Sequence, residues 1–330
     1  MATPSGPRRP GEIAGFLLSL AFAALAAGRD VYFGGLFQHV EPLLVALTAF
    51  GLCSLVLVPI ALRRDPGGLT ALARRPWELL WVNATTALAW LSFFFALKTI
   101  EPALVQILFY GIGPLSVWWV DGLVPGSIRA TLSSSERRLH RGLLAALLVA
   151  AAVVLAGLSG LGPQPVGIAT AGIALAVGGG VSISISTLLC RALNETGVRP
   201  VTLLALRFPG AIVLTAALAT ASSAPLLAGV TPGGFAALAV ASLLLIVFPN
   251  YVNQVGVALA SPVTVRAVLA VGPVMVFALQ LLEGRLSPSR ATLGACVLYG
   301  VLAVAAAVAR HRTIGTPESR RPGPAILSSR

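Results

Sequence analysis

Apolar residues in this chain come in runs long enough to cross a bilayer, separated by short polar linkers. A helix needs about 20 apolar residues to span roughly 30 Å of hydrocarbon. Ten runs meet that length, at about 13–37, 42–62, 77–98, 102–122, 142–161, 166–190, 200–221, 234–258, 262–283 and 291–309. Linkers such as Gln38 to Glu41, Gly162 to Pro165 and Ser261 leave no room for a folded domain between spans. Closed β-barrels, the other spanning architecture, read as short alternating segments. These runs are continuous, and they predict an all-α integral membrane protein with ten transmembrane helices.

Composition removes the soluble classes. The chain is 57% hydrophobic and 10% charged, with a mean hydropathy of +0.91, where soluble domains carry about 25% charged residues. A soluble enzyme or a nucleic-acid-binding module is excluded. The net charge of +12 reflects topology, because the arginines gather in alternate linkers. One side of the predicted membrane holds 17 basic residues: Arg8, Arg9, Arg63, Arg64, Arg74, Arg75, Arg129, Arg137, Arg138, Arg141, Arg191, Arg199 and the five arginines from Arg310 onward. The other side holds Lys98, Arg285 and Arg290, and Arg29, Arg207 and Arg266 fall within spans. Positive charge accumulates on the cytoplasmic side, so both termini are expected there, in a multi-pass inner (plasma) membrane protein. Trp77, Trp81, Trp118 and Trp119 fall near the same interface, where amphipathic rings are favoured. Arg8, Arg9 and the following apolar stretch to Ala24-Leu25-Ala26 also resemble a cleavable signal peptide; cleavage would leave nine spans. Cys53, Cys190 and Cys296 lie inside apolar runs and read as small buried residues.

The two halves echo each other. Ala96-Leu97, Pro102, Gly113-Pro114 and Asp121-Gly122 recur as Ala258-Leu259, Pro262, Gly272-Pro273 and Glu283-Gly284. Pro42 followed by Ala49-Phe50 recurs as Pro200 followed by Arg207-Phe208 at the same offset. Five spans per half is odd, so the halves cross the membrane in opposite senses, as in the inverted repeats of secondary transporters. The expected organisation is a disordered N-terminus (1–11), a first five-helix repeat (12–161), a second (162–310) and a disordered tail (311–330). With this pattern the chain resembles the EamA unit, two of which make a transporter of the drug/metabolite transporter superfamily. The likeness covers about residues 13–310 and is better in the second half. The first half departs from it, with Ala49 in place of the arginine, Val124 where the glutamate would stand, and a longer linker at about 123–141. The resemblance implies ten helices around a central cavity and alternating access, and it names no substrate.

Ionisable groups at bilayer depth cost about 3 kcal/mol on insertion scales and usually face a cavity. In the first span, Arg29-Asp30 lies about 10 Å below the outer surface at 1.5 Å per residue. Neighbours on a helix do not face each other, so a simple local pair looks strained. Gly28, Gly34 and Gly35 would let the helix break there; alternatively it ends at Ala27. In the eighth span Asn250, Asn253 and Gln254 share one face beneath a kink at Pro249, either lining a cavity or joining helices. Arg207, followed by Phe208-Pro209-Gly210, is either structural or a ligand group, while Arg266 snorkels. Gln106 and Tyr110 share a face of the fourth span, and Trp90 sits in mid-span, where it could stack a flat substrate or pack. Ser182, Ser186 and Thr187 follow Gly178-Gly179-Gly180, although serines in membrane helices often bond their own backbone. Gln280 and Glu283 lie one turn apart, and Glu283 is a family signature with either a structural or a proton-transfer role.

These residues give the candidate substrate site: Arg29, Asp30, Trp90, Gln106, Tyr110, Ser186, Arg207, Asn250, Asn253 and Gln254, with Asp30 and Glu283 as proton-coupling candidates. His39, His140 and His311 are scattered, and no catalytic or nucleotide-binding motif appears. No cofactor, metal or nucleic-acid partner is expected. The partners are the bilayer and a small-molecule substrate, with the chain a monomer or homodimer. A secondary transporter of a small metabolite such as an amino acid, most simply an exporter, leads the readings. A membrane-embedded transferase and a passive pore are the alternatives.

Overall fold

The structure is a computed structural model, and it describes residues 10–120, 134–222, 226–227, 229–259 and 268–314. Among these residues there are thirteen α-helices and no strand. They are α1 (Pro10–Leu36), α2 (Pro42–Arg64), α3 (Pro66–Ala73), α4 (Pro76–Thr99), α5 (Pro102–Val120), α6 (Ser134–Leu155), α7 (Val166–Glu195), α8 (Pro200–Leu206), α9 (Pro209–Ala221), α10 (Pro232–Ser242), α11 (Phe248–Leu259), α12 (Gly272–Glu283) and α13 (Arg290–Ile314). A π-helical turn, Leu243–Val247, joins α10 to α11. Proline opens α2, α3, α4, α5, α8, α9 and α10, because its fixed φ suits the first helical position and its missing N–H has no partner to lose there. Eight segments are long and apolar enough to cross a membrane, and Pro102–Ser116 and Gly272–Glu283 are shorter apolar helices. The chain is therefore an all-α, multi-pass membrane protein.

Several details differ from the hydropathy reading. The expected seventh span is two helices, α8 and α9, with a break at Arg207-Phe208. The linker after α2 contains the short helix α3, whose first turn is capped by Asp65. Helix α1 begins at Pro10 and α13 continues to Ile314, each slightly beyond the expected bounds. Pro262, Arg266, Asp121, Val124 and the outermost tails lie outside the described residues.

Helix α7 packs along α4 and α5, α1 along α11 and α12, α2 against α9, and α6 against α13. The α7 contact is close because Gly180 has no side chain: a Cβ there would collide with the carbonyl oxygen of Phe109. Small residues at such contacts let membrane helices gain dispersion energy that lipid would otherwise supply. Aromatic rings fill the middle of the bundle, with Phe33, Phe37, Phe50, Phe93, Phe94 and Phe208 almost fully buried.

Each end of the bundle is tied by a buried carboxylate. At one end Glu101, 1% exposed, accepts from Gly160 N–H (2.7 Å), Gln280 Nε2 (2.8 Å) and Thr292 Oγ1 (2.8 Å). At the opposite end Asp65 accepts from Thr202 Oγ1 at 2.6 Å and from the backbone N–H groups of Gly68 and Arg199. These donors, Thr202 foremost, hold the Asp65 carboxyl below the usual carboxylate range. Two open grooves, of about 670 Å³ between α12 and α13 and 520 Å³ between Tyr32 and α10, have apolar walls and include none of the candidate site residues.

Candidate functional site

Helix α1 runs without interruption through Gly28 to Leu36, so it neither breaks at Gly28 nor ends at Ala27. Arg29 and Asp30 are nevertheless 2% and 0% exposed. The local pair expected to be strained forms: Arg29 Nε donates to Asp30 Oδ1 at 2.7 Å. Side chains of adjacent helical residues diverge by about 100°, but the three methylenes of arginine let the guanidinium fold back to its neighbour. Asp30 Oδ2 accepts from Gln106 Nε2 at 2.6 Å, so both carboxylate oxygens are bonded. Arg29 Nη2 reaches the Tyr110 hydroxyl at 3.5 Å. Its guanidinium carbon lies 5.2 Å from the ring centres of both Trp90 and Phe93, contacts that stabilise a desolvated cation by about 2 kcal/mol. Residues from α1, α4 and α5 thus converge on one buried ion pair. Gln106 Oε1 is buried with no partner. It faces Gly272, where a Cβ would lie 2.7 Å from that oxygen, so the Gly-Pro start of α12 leaves room for the amide.

The second polar group sits at the break between α8 and α9. Pro209 supplies no N–H, which removes one helical hydrogen bond. Asn83 of α4 bridges the break: its Nδ2 donates to the Leu206 carbonyl (2.8 Å) and its Oδ1 accepts Gly210 N–H at 2.7 Å, while Nδ2 also donates to the Leu79 carbonyl of its own helix (2.9 Å). Arg207, at the break, is 8% exposed. Its Nη2 lies 3.5 Å from Ser186 Oγ, which shares a 2.8 Å hydrogen bond with Thr86 Oγ1. Arg207 Nε is buried without a partner. Among the described residues no carboxylate lies within 4.0 Å of it.

A line of rings joins the two arginines. Arg207 lies 5.5 Å from the Phe208 ring centre, and Phe208 stacks on Phe50 at 5.1 Å and 9°. Phe50 meets Trp90 edge-on at 5.9 Å, and Trp90 touches Arg29. Phe50 and Phe208 are the residues that occupy equal offsets from Pro42 and Pro200 in the two halves.

Arg29, Asp30, Trp90, Gln106 and Tyr110 therefore come together, and Ser186 joins Arg207. Of the eighth-span amides, Asn250 and Asn253 make no hydrogen bond with either group. Asn250 Nδ2 donates to the Ile246 carbonyl of its own helix at 2.7 Å, where Pro249 and the π-helical turn disturb the backbone ladder. Asn253 is half-buried, and the side chain of Gln254 lies outside the described residues. Glu283 lies at the Glu101 end, paired with Arg285 at 3.3 Å. Ser182 and Ser184 bond their own helix backbone. Hydropathy reading passed over Asn83, Thr86, Phe93 and Glu101. The one signal for Asn83 in the sequence was an amide within an apolar run; its place beside Pro209 is set by the fold.

No protein-family model matches the chain, and no curated protein matches it. Among solved structures, a crystal structure of a protein shares the fold at a TM-score of 0.60, covering 92% of this chain and 99% of that one at 22% identity. At that identity the likeness concerns the fold alone.

Proposed function

We propose that the protein is a secondary transporter of a small metabolite, an exporter of the EamA type in the drug/metabolite transporter superfamily. It works by alternating access in the inner membrane, with both termini cytoplasmic. The observation that carries this reading is the Arg29–Asp30–Gln106 cluster, a charged group sealed at 0–2% exposure among membrane helices. A structural ion pair can be exchanged for apolar residues with little loss of stability. A carboxylate, a guanidinium and an amide drawn from α1 and α5, beside two aromatic rings, are the parts of a site that binds and releases.

The arrangement of helices supports ten passes in two inverted halves. If α5 and α12 are the fourth and ninth passes, a two-fold exchange of halves turns the α4–α7 contact into α11–α1, and the α5–α7 contact into α12–α1. Both members of each pair occur. The same exchange maps α2–α9 and α6–α13 onto themselves, and it brings Phe50 onto Phe208, which stack. Sites in such transporters lie between the repeats, where these rings meet.

In this reading Asp30 is the proton-coupling group, and Glu283, exposed and paired with Arg285, is the weaker candidate. The test is Asp30→Asn in proteoliposomes, with substrate uptake followed across imposed pH gradients. Gradient-driven uptake should be lost while exchange without a gradient persists. Unchanged transport with unchanged pH dependence would remove Asp30 from the coupling role.

A further inference from the structure

Arg207 is a buried cation in a low-dielectric bundle with a free N–H. Holding an unpaired charge there is costly, and a buried donor without an acceptor costs about 1–3 kcal/mol more. The first turn of α9 follows directly and carries the positive end of a 13-residue helix. Its Gly210 N–H is already bonded to Asn83, so the break is fixed in place. Two positive features meet at one point with no counter-charge among the described residues.

Neither Asp30 nor Glu101 has a free oxygen for a substrate ammonium group. Both oxygens of Asp30 are taken by Arg29 and Gln106, and Glu101 holds three donors. A ligand at Arg207 must therefore bring negative charge, and one unit of it balances one guanidinium. The adjacent Nε and Nη2 groups of an arginine match the two oxygens of a carboxylate, and Ser186 Oγ stands 3.5 Å from Nη2. The neighbouring rings, Phe50 and Phe208, stack on each other and are fully buried, so they supply an apolar setting that strengthens the charge pairing at Arg207.

We propose that Arg207 recognises the carboxylate of an organic-acid substrate, a net monoanion. This deepens the transporter reading and rests on it for the word substrate. It excludes cationic drugs, and it excludes zwitterions that need a carboxylate for their ammonium group.

The experiment uses the full-length protein in lipid nanodiscs with benzoate, phenylacetate, benzamide, benzylamine and phenylalanine as probes. A ligand that binds only the folded state raises the melting temperature by mass action. Benzoate or phenylacetate should raise it in the wild type, and the other three should not. Arg207→Gln should weaken carboxylate binding about tenfold or more, the loss of charge-assisted hydrogen bonds, while Arg207→Lys keeps part of it. Equal shifts with benzamide, no shift with either carboxylate, or undiminished binding to Arg207→Gln would each overturn the proposal. The wild-type comparison of benzoate with benzamide decides even if the variants do not fold. Counterflow in proteoliposomes separates the two readings. Carboxylate binding without counterflow leaves the anion site and removes the transporter. Counterflow of benzylamine or phenylalanine that ignores Arg207→Gln keeps the transporter and removes the anion site.

Discussion

Arg29 and Arg207 lie in one bundle, yet their surroundings satisfy them in opposite ways. Arg29 has an aspartate at 2.7 Å, a tyrosine hydroxyl and two aromatic rings, and it stands in an unbroken helix. Arg207 has one long contact to a serine, one aromatic ring and a free Nε, and it stands where the helix is interrupted. The first group is internally neutral and closed. The second carries uncompensated charge on a backbone that needs another helix to hold its shape. The difference teaches that buried charge of the same type can be balanced within the protein in one place and be an unfilled requirement in another.

The largest expected contrast comes from removing charge at each place. Asp30→Ala leaves Arg29 buried and unpaired, which should destabilise the protein by about 3–5 kcal/mol. Arg207→Gln strips no partner of its charge and removes a costly unpaired cation, so the variant should be at least as stable as the wild type. Melting temperatures of both variants in nanodiscs check this, and comparable losses would mean that Arg207 has a counter-charge after all. Next comes Asn83→Ala, which frees the Leu206 carbonyl and the Gly210 N–H. At about 1–3 kcal/mol for each orphaned group, hydrogen exchange should accelerate across residues 203–212 and stay unchanged around Arg29. Uniform protection in both regions would show that the break holds itself.

The smallest effect is a dependence on acidity. Asp65 anchors α8, the helix that leads to Arg207, through Thr202. Its carboxyl is held below the usual range in the folded protein, so this stabilisation is complete above the unfolded value of about 3.9. It is lost as the pH falls through the folded value. Melting temperature should therefore drop in strong acid, and Thr202→Val should begin that drop at higher pH. Identical profiles would remove Thr202 as the cause.

The framework was legible because hydrocarbon leaves a direct imprint on sequence: long apolar runs must be helices. Arg29, Asp30, Gln106 and Tyr110 stood out for the same reason, as polar groups inside such runs. What the pattern could not report is which proline interrupts a helix. Pro59 and Pro114 lie within continuous helices, whereas Pro209 opens a new one. The difference lies in Asn83, more than a hundred residues away in the chain, which offers bonds to the backbone on both sides of the break. Nor could linear reading show Asn250 turning to its own helix, since an amide on the right face is chosen by geometry that only folding supplies. The ion pair of adjacent residues was hidden by treating side chains as fixed spokes, when arginine is long enough to bend.

Glu101 fastens pieces of the chain that are distant in sequence. Its oxygens hold the α6–α7 connection through Gly160, α12 through Gln280 and α13 through Thr292, while Ser287 bonds the Gly160 carbonyl. Sliding any one of these pieces would strip several bonds from a desolvated carboxylate at once. They are bound to move together, so the pivot for any rocking of the bundle belongs beside this residue, while Asp65 at the far end joins only the α2–α3 turn to the start of α8.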